Sequence, residues 1–171
     1  MPTLSSRSGR GHTAREARTG GRHPRLQALF DEYALAHRHP VNRLCHELAI
    51  PVIALTIVAA LDRVPLGTLF GHQVTAALPA WAAAATWYLW MDPVLGGLVA
   101  LLLAACVPLG RAFPAWAIAA LAAAAWTLQF VGHFAFEKKQ PSFFTNLIHA
   151  LVGPIYFLAA MADVGREPAR P

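Results

Sequence analysis

Charge is scarce in this chain: 13% of its 171 residues are Asp, Glu, Lys or Arg, against roughly 25% in a soluble domain. Hydrophobic residues make up 56%, and they stand in blocks rather than in an alternating or amphipathic pattern. An ordinary water-facing surface is thereby excluded. Cysteine is scarcer still. Cys45 and Cys106 are far apart with no CxxC pair, which rules out a zinc ribbon or a thioredoxin-type centre and makes a structural disulfide unexpected. Both read as small apolar residues in or near helices. No apolar core of about 7–15 residues follows the N-terminal charges, so this stretch does not read as a secretory signal. No recognition motif accompanies the net charge of +5, so nucleic acid is not an expected partner.

What is present begins with that charge. Arg7, Arg10, Arg15, Arg18, Arg22 and Arg25 crowd into the first 25 residues, opposed by Glu16. Residues 1–24, His12 and His23 among them, read as a disordered basic tail that sets orientation or touches anionic lipid. The tail is Arg-rich and acid-poor like a transit peptide, but its glycines and proline argue against an amphipathic helix. Residues 25–163 read as a single helical membrane domain, and 164–171 as a frayed tail.

The fold class expected is all-α: a polytopic membrane helical bundle of about five apolar segments, preceded by an interfacial helix. "LQALFDEYALAHRH" carries apolar residues at 26, 29, 30, 33 and 36, the spacing of one helical face. The apolar segments run from about Leu48 to Leu61, Val74 to Trp90, Val94 to Leu109, Ala115 to His133 and Phe143 to Ala162. The first is short for a span of about 20 residues, which calls for either an earlier start near Asn42 or partial shielding by neighbours. Asp92 and Pro93 have the chemistry of an N-cap and first helical residue, making a tight helical hairpin.

Arginine in the tail places it in the cytoplasm by the positive-inside rule, and Lys138 and Lys139 support the same side for the loop at 134–142. The expected location is a multi-pass protein of a bacterial inner membrane, or of the endoplasmic reticulum in a eukaryote. Counting spans then brings His37, His46, His133 and His149 to one leaflet and leaves His72 on the other.

Three stretches carry the polar residues. "HRHPVNRLCHE" places Asn42 and His46 four apart, with His37 and His39 just before. "QFVGHFAFEKKQP" places Gln129, His133 and Glu137 on one stripe, with Gly132 permitting close approach of another helix. "SFFTNLIHALVGP" places Asn146 and His149 three apart. A lone histidine at a helix end is plainly read as an interfacial residue with its polar end among headgroups. Four on one leaflet point further, because ionisable residues at membrane depth are costly and usually functional. The imidazoles suit iron, zinc, copper or nickel. Gln129 and Glu137 either support His133 from behind or, for the glutamate, join it as a ligand. Asn146 and His149 read equally as a polar contact between helices or as functional residues, a fourth ligand or a hydrogen-bond donor to a substrate.

"YALAHRHPVNRLCHELAIP" and "WTLQFVGHFAFEKKQPSFFTNL" together resemble the two signatures of the small membrane family of the yeast 2-hydroxy fatty acid dioxygenase of phytosphingosine breakdown. The similarity spans about Tyr33 to Phe157, and Gln-Phe-x-Gly-His followed by Phe-Glu-Lys and Pro is its specific part. The resemblance implies an Fe(II)-dependent, O2-using α-oxidation that shortens a 2-hydroxy fatty acid by one carbon. It implies His37, His46 and His133 as family-type histidines, with Asn42, Gln129, Glu137 and Asn146 at the other polar positions. The yeast type has no histidine at the position of His149 and has asparagine at that of His39. A 2-hydroxy acid can chelate iron through carboxylate and hydroxyl, and three histidines leave positions for that chelate and for oxygen. Its acyl chain needs an apolar slot, and a site at the cytoplasmic leaflet lets the chain stay in lipid while its head reaches the metal. The rival readings are a bis-histidine haem protein that carries electrons and a non-enzymatic lipid-binding protein. Sequence does not indicate an oligomeric state.

Overall fold

A computed structural model describes residues 23–144 and 146–164. The basic tail up to residue 22 and the C-terminal tail from residue 165 lie outside the described residues.

Helix α1 spans Pro24–Ala36. It starts where the His23 ring accepts the Arg25 N–H at 3.2 Å and where proline fixes the first helical φ. Its apolar face, Leu26, Leu29, Phe30 and Tyr33, is buried. That face packs in one core cluster with Tyr88, Met91, Val152 and Ile155, so the amphipathic stripe is covered by the bundle.

Helix α2, Pro40–Asp62, is longer than its apolar run. His39 caps it by accepting the Val41 N–H at 3.2 Å, and the polar turn containing Asn42 and His46 is helical too. A hairpin follows, β1 (Pro65–Leu69) paired antiparallel to β2 (His72–Thr75). Its two-residue loop has positive φ at both Phe70 (50°) and Gly71 (79°), the signature of a type I′ turn. No strict alternation marks this run, and a bulge falls between Pro65 and Gly67, so the hairpin carries no period-2 signal in the sequence.

Helix α3, Ala77–Met91, and helix α4, Pro93–Arg111, form the expected tight hairpin. Asp92 accepts the N–H groups of Val94 and Leu95, both at 3.0 Å. Gly96 lies against the Tyr88 carbonyl so closely that a Cβ would collide with it. Helix α5, Ala115–Val131, continues without a break into a π-helical turn, Gly132–Glu137, closed by Lys138 in the left-handed conformation. After a short 3-10 turn at Ser142–Phe144 comes α6, Ile148–Val164.

Helix α2 is central: it contacts α3, α4, α5, the π turn and α6. It runs antiparallel to α5. At one end Arg63 donates to the carbonyls of Gly110 and Phe113; at the other Asn42 and Cys45 meet Gly132. Asp62 clamps the first of these ends, taking Arg111 at 2.7 Å and the Thr75 hydroxyl at 3.0 Å.

Three helical stretches are long and apolar enough to cross a membrane: Pro40–Asp62, Pro93–Arg111 and Ala115–Glu137. Helix α3, at 15 residues, and the apolar part of α6, Ile148–Ala162, are shorter than a full crossing of about 20 residues. The outer face of α4 exposes Leu98, Leu101, Leu102 and Leu109. In water such a patch would drive aggregation. Against lipid tails it is the matching surface, and the fold is a helical membrane bundle.

Candidate metal centre

Three histidines from three places in the chain meet at one end of α2. His37 follows the last turn of α1, His46 lies two turns into α2, and His133 lies in the π turn that ends α5. All three are buried, and one ring nitrogen from each falls within 4.8 Å of the others. The rings pack edge to face, with centroids 4.5, 5.0 and 4.7 Å apart for the pairs 37–46, 37–133 and 46–133. The π turn supplies one member of the cluster. Such turns are rare and often lie at functional sites.

The backbone fixes the tautomers of two of these rings. His37 Nδ1 stands 2.7 Å from the Tyr33 carbonyl, and His46 Nδ1 stands 2.8 Å from the Asn42 carbonyl. A carbonyl only accepts, so each Nδ1 carries the hydrogen and each Nε2 is left with a bare lone pair. The Tyr33 carbonyl is free to take this bond because it lies in the last turn of α1, where carbonyls lack helical partners. The two Nε2 atoms then face one another at 3.2 Å with no hydrogen between them. Burial disfavours the protonated alternative. It is the largest influence on His37 and lowers its pKa to about 4, so the ring is neutral at pH 7. Two lone pairs held in opposition are stabilised by a cation between them. Nitrogens each about 2.1 Å from one ion stand roughly 3.0–3.4 Å apart over the usual range of ligand angles. The donor set therefore fits a metal ion. His133 Nδ1, buried and without a partner among the described residues, is consistent with that.

The rest of the pattern divides. Glu137 is turned to the backbone of another segment: its carboxylate accepts from Arg38 N–H at 3.2 Å, His39 N–H at 2.9 Å and Asn42 Nδ2 at 3.2 Å. Both its oxygens are thus engaged in tying the end of α5 to the start of α2. Asn42 is fully buried and lies against Gly132, where a Cβ would come within 2.5 Å of Asn42 Oδ1 and 3.0 Å of Cys45 Cβ. The close approach expected of Gly132 is observed, and it sets His133 beside His46. Gln129 is buried one turn before His133, its Oε1 without a partner among the described residues. Asn146 stands apart: it is exposed, and its side chain caps α6 through the Ile148 N–H at 3.0 Å. His149 lies outside the three-histidine group, with Nε2 3.3 Å from Glu32. His39 caps α2, and His72 begins β2 at the far end of that helix.

A cavity of about 290 Å³ joins the cluster to the bundle interior. Around its polar end stand His37, His46, His133, Gln129 and His149. From there it follows one face of α2 past Ile50, Ile53, Ala54, Ile57, Val58 and Leu61, walled by Ala80, Trp81, Ala84 and Tyr88 of α3. At about 1.5 Å per residue, His46 to Leu61 is roughly 22 Å. The Trp81 indole is fixed by a 2.9 Å bond to the Ala100 carbonyl. Sequence reading missed these residues individually, since each is one apolar side chain among many. It also left Tyr33 out of the site, although the Tyr33–His37 spacing of one helical turn was a signal. The tyrosine stacks on His37, with centroids 4.0 Å apart.

The family model described as 2-hydroxy-palmitic acid dioxygenase Mpo1-like matches residues 24–164. No curated protein and no solved structure shows a significant match.

Proposed function

The chain belongs to the 2-hydroxy-palmitic acid dioxygenase Mpo1-like family, and from that premise we propose that it oxidises 2-hydroxy fatty acids with O2, using Fe(II) held by His37, His46 and His133. The balanced reaction is R–CH(OH)–COOH plus O2 to R–COOH, CO2 and H2O, a shortening by one carbon that needs no outside reductant. The observation that carries the reading is the pair of unprotonated Nε2 atoms opposed at 3.2 Å at the head of an apolar cavity. When bound, the iron would supply a coordination point for the acid's hydroxyl and carboxylate and the means to activate oxygen.

The protein's own residues have distinct tasks. The carbonyls of Tyr33 and Asn42 hold two imidazoles in the ligating tautomer, as backbone acceptors commonly do behind metal-bound histidines. Glu137 and Gly132 keep α5 and α2 in register, so His133 stays with His46. The groove along α2 takes the acyl chain and excludes water from the head-group end. Arg38, Arg43, Lys138 and Lys139 are exposed at the cluster end, while Arg63 and Arg111 at the far end are bonded to backbone or Asp62. That asymmetry supports a cytoplasmic placement of the cluster.

A bis-histidine haem is disfavoured by geometry, because a porphyrin has no room to pass between Nε2 atoms 3.2 Å apart. The test is metal analysis of detergent-purified protein, followed by oxygen uptake and product identification with 2-hydroxypalmitate. Near-stoichiometric iron, no Soret band and the acid one carbon shorter are expected. His133→Ala should lose both iron and turnover, and full activity in that variant would refute the assignment.

A further inference from the structure

His149 is left over from the proposed iron site. It opens the first turn of α6, its backbone N–H bonded to the Asn146 carbonyl at 3.0 Å. Its side chain is 10% exposed and lines the same cavity as the three histidines. Glu32, 60% exposed on α1, places its carboxylate 3.3 Å from Nε2, an ion-pair distance. Beside a carboxylate, Nε2 is the nitrogen that carries the hydrogen, because a carboxylate only accepts. Nδ1 is then a bare acceptor. It is buried with no partner among the described residues. A buried acceptor left without a donor keeps an uncompensated desolvation penalty, so a donor from a ligand in the cavity would relieve it.

We infer that His149 reads the 2-hydroxyl of the substrate: its Nδ1 accepts the hydroxyl hydrogen, and Glu32 holds the ring in the accepting tautomer. The inference rests on the function proposed above. A 2-hydroxy acid and the corresponding plain fatty acid share carboxylate and chain and differ in this one donor. An apolar slot and a metal-bound carboxylate would welcome both. A site with a buried acceptor at the hydroxyl position disfavours the acid that lacks it, since the acceptor then stays unpaired. Glu32 is on the surface, so its task is to orient His149 rather than to touch substrate.

The test compares 2-hydroxypalmitate turnover with its inhibition by palmitate, in the full-length iron-loaded protein and in three variants. His149→Phe keeps an aromatic ring and removes the acceptor; His149→Asn returns an oxygen near the place of Nδ1; Glu32→Gln keeps the shape of its partner. Expected are unchanged iron content throughout and a loss of at least tenfold in the preference for the hydroxy acid in His149→Phe. His149→Asn should recover part of the preference, and Glu32→Gln should lose a smaller part. Loss of iron in His149→Phe and His149→Asn alike would make His149 a ligand and overturn the inference. So would an unchanged preference in folded, iron-replete His149→Phe or, should that variant not fold, in both His149→Asn and Glu32→Gln. If wild-type protein turns over no 2-hydroxy acid, the underlying function has failed instead, which separates the two outcomes.

Discussion

The residue with most to explain is Glu137. Its spacing from His133 made it a candidate ligand, and nothing in the sequence distinguishes a carboxylate that binds metal from one that binds backbone. Its partners, Arg38, His39 and Asn42, lie nearly a hundred positions away, which is why its hydrogen bonds were invisible before the fold. With both oxygens engaged, Glu137 ties the histidine-bearing segments together. Glu137→Gln should therefore retain iron, with affinity lowered about tenfold, within the range for residues behind metal ligands. Iron titration of the purified variant checks this, and complete loss of iron would restore Glu137 as a direct ligand. The histidines themselves were more legible. Polar imidazoles in apolar helices stand out, and their position at corresponding ends of antiparallel helices follows from counting segments. Tautomers were not legible, since they depend on carbonyls that any residue carries.

Among elements, the contact of α2 with α5 decides whether a site forms. The helices approach through Gly132, and a Cβ there would meet Asn42 Oδ1 at 2.5 Å and Cys45 Cβ at 3.0 Å. Neither neighbour can easily yield: Asn42 is fully buried and bonded to Glu137. Gly132→Ala should cost about 1–3 kcal/mol, as overpacking typically does, and should separate His133 from His46. The expected readout is a lower thermal midpoint in detergent together with loss of iron; wild-type values for both would show that the helices part without consequence. Helix existence was readable from apolar blocks, and the Asp92–Pro93 cap from residue type alone. The ends were less so. Helix α2 extends eight residues before Leu48 because Asn42, Arg43 and His46 are as helical as the residues after them, and apolarity marks lipid contact rather than helix. The hairpin at 65–75 was missed because its register depends on a bulge and a type I′ turn with phenylalanine at one position where glycine or asparagine is usual.

At the scale of the whole molecule, the cavity converts bundle dimensions into a length. His46 lies at its polar end and Leu61 at the other, about 22 Å apart along α2. An extended chain advances about 1.2 Å per bond, since a peptide unit of three bonds spans roughly 3.3–3.6 Å. The groove therefore matches a chain of about eighteen bonds. Ala54 lies eight residues from His46, or about 12 Å and some ten bonds along, and Trp81 walls the same groove with its indole fixed on Ala100. Ala54→Phe should block the groove midway, lowering kcat/KM for 2-hydroxypalmitate at least tenfold while sparing 2-hydroxy acids of about ten carbons. Trp81→Ala should open the wall and raise the relative kcat/KM for chains longer than eighteen carbons. Competition assays with a ladder of 2-hydroxy acids measure both shifts in one protein preparation. Iron content should match wild type in each variant, because neither residue belongs to the histidine cluster. Parallel loss across all chain lengths would mean that the substitutions damage the bundle. An unchanged ladder in two folded variants would place the acyl chain elsewhere, in the surrounding lipid with only its head at the metal.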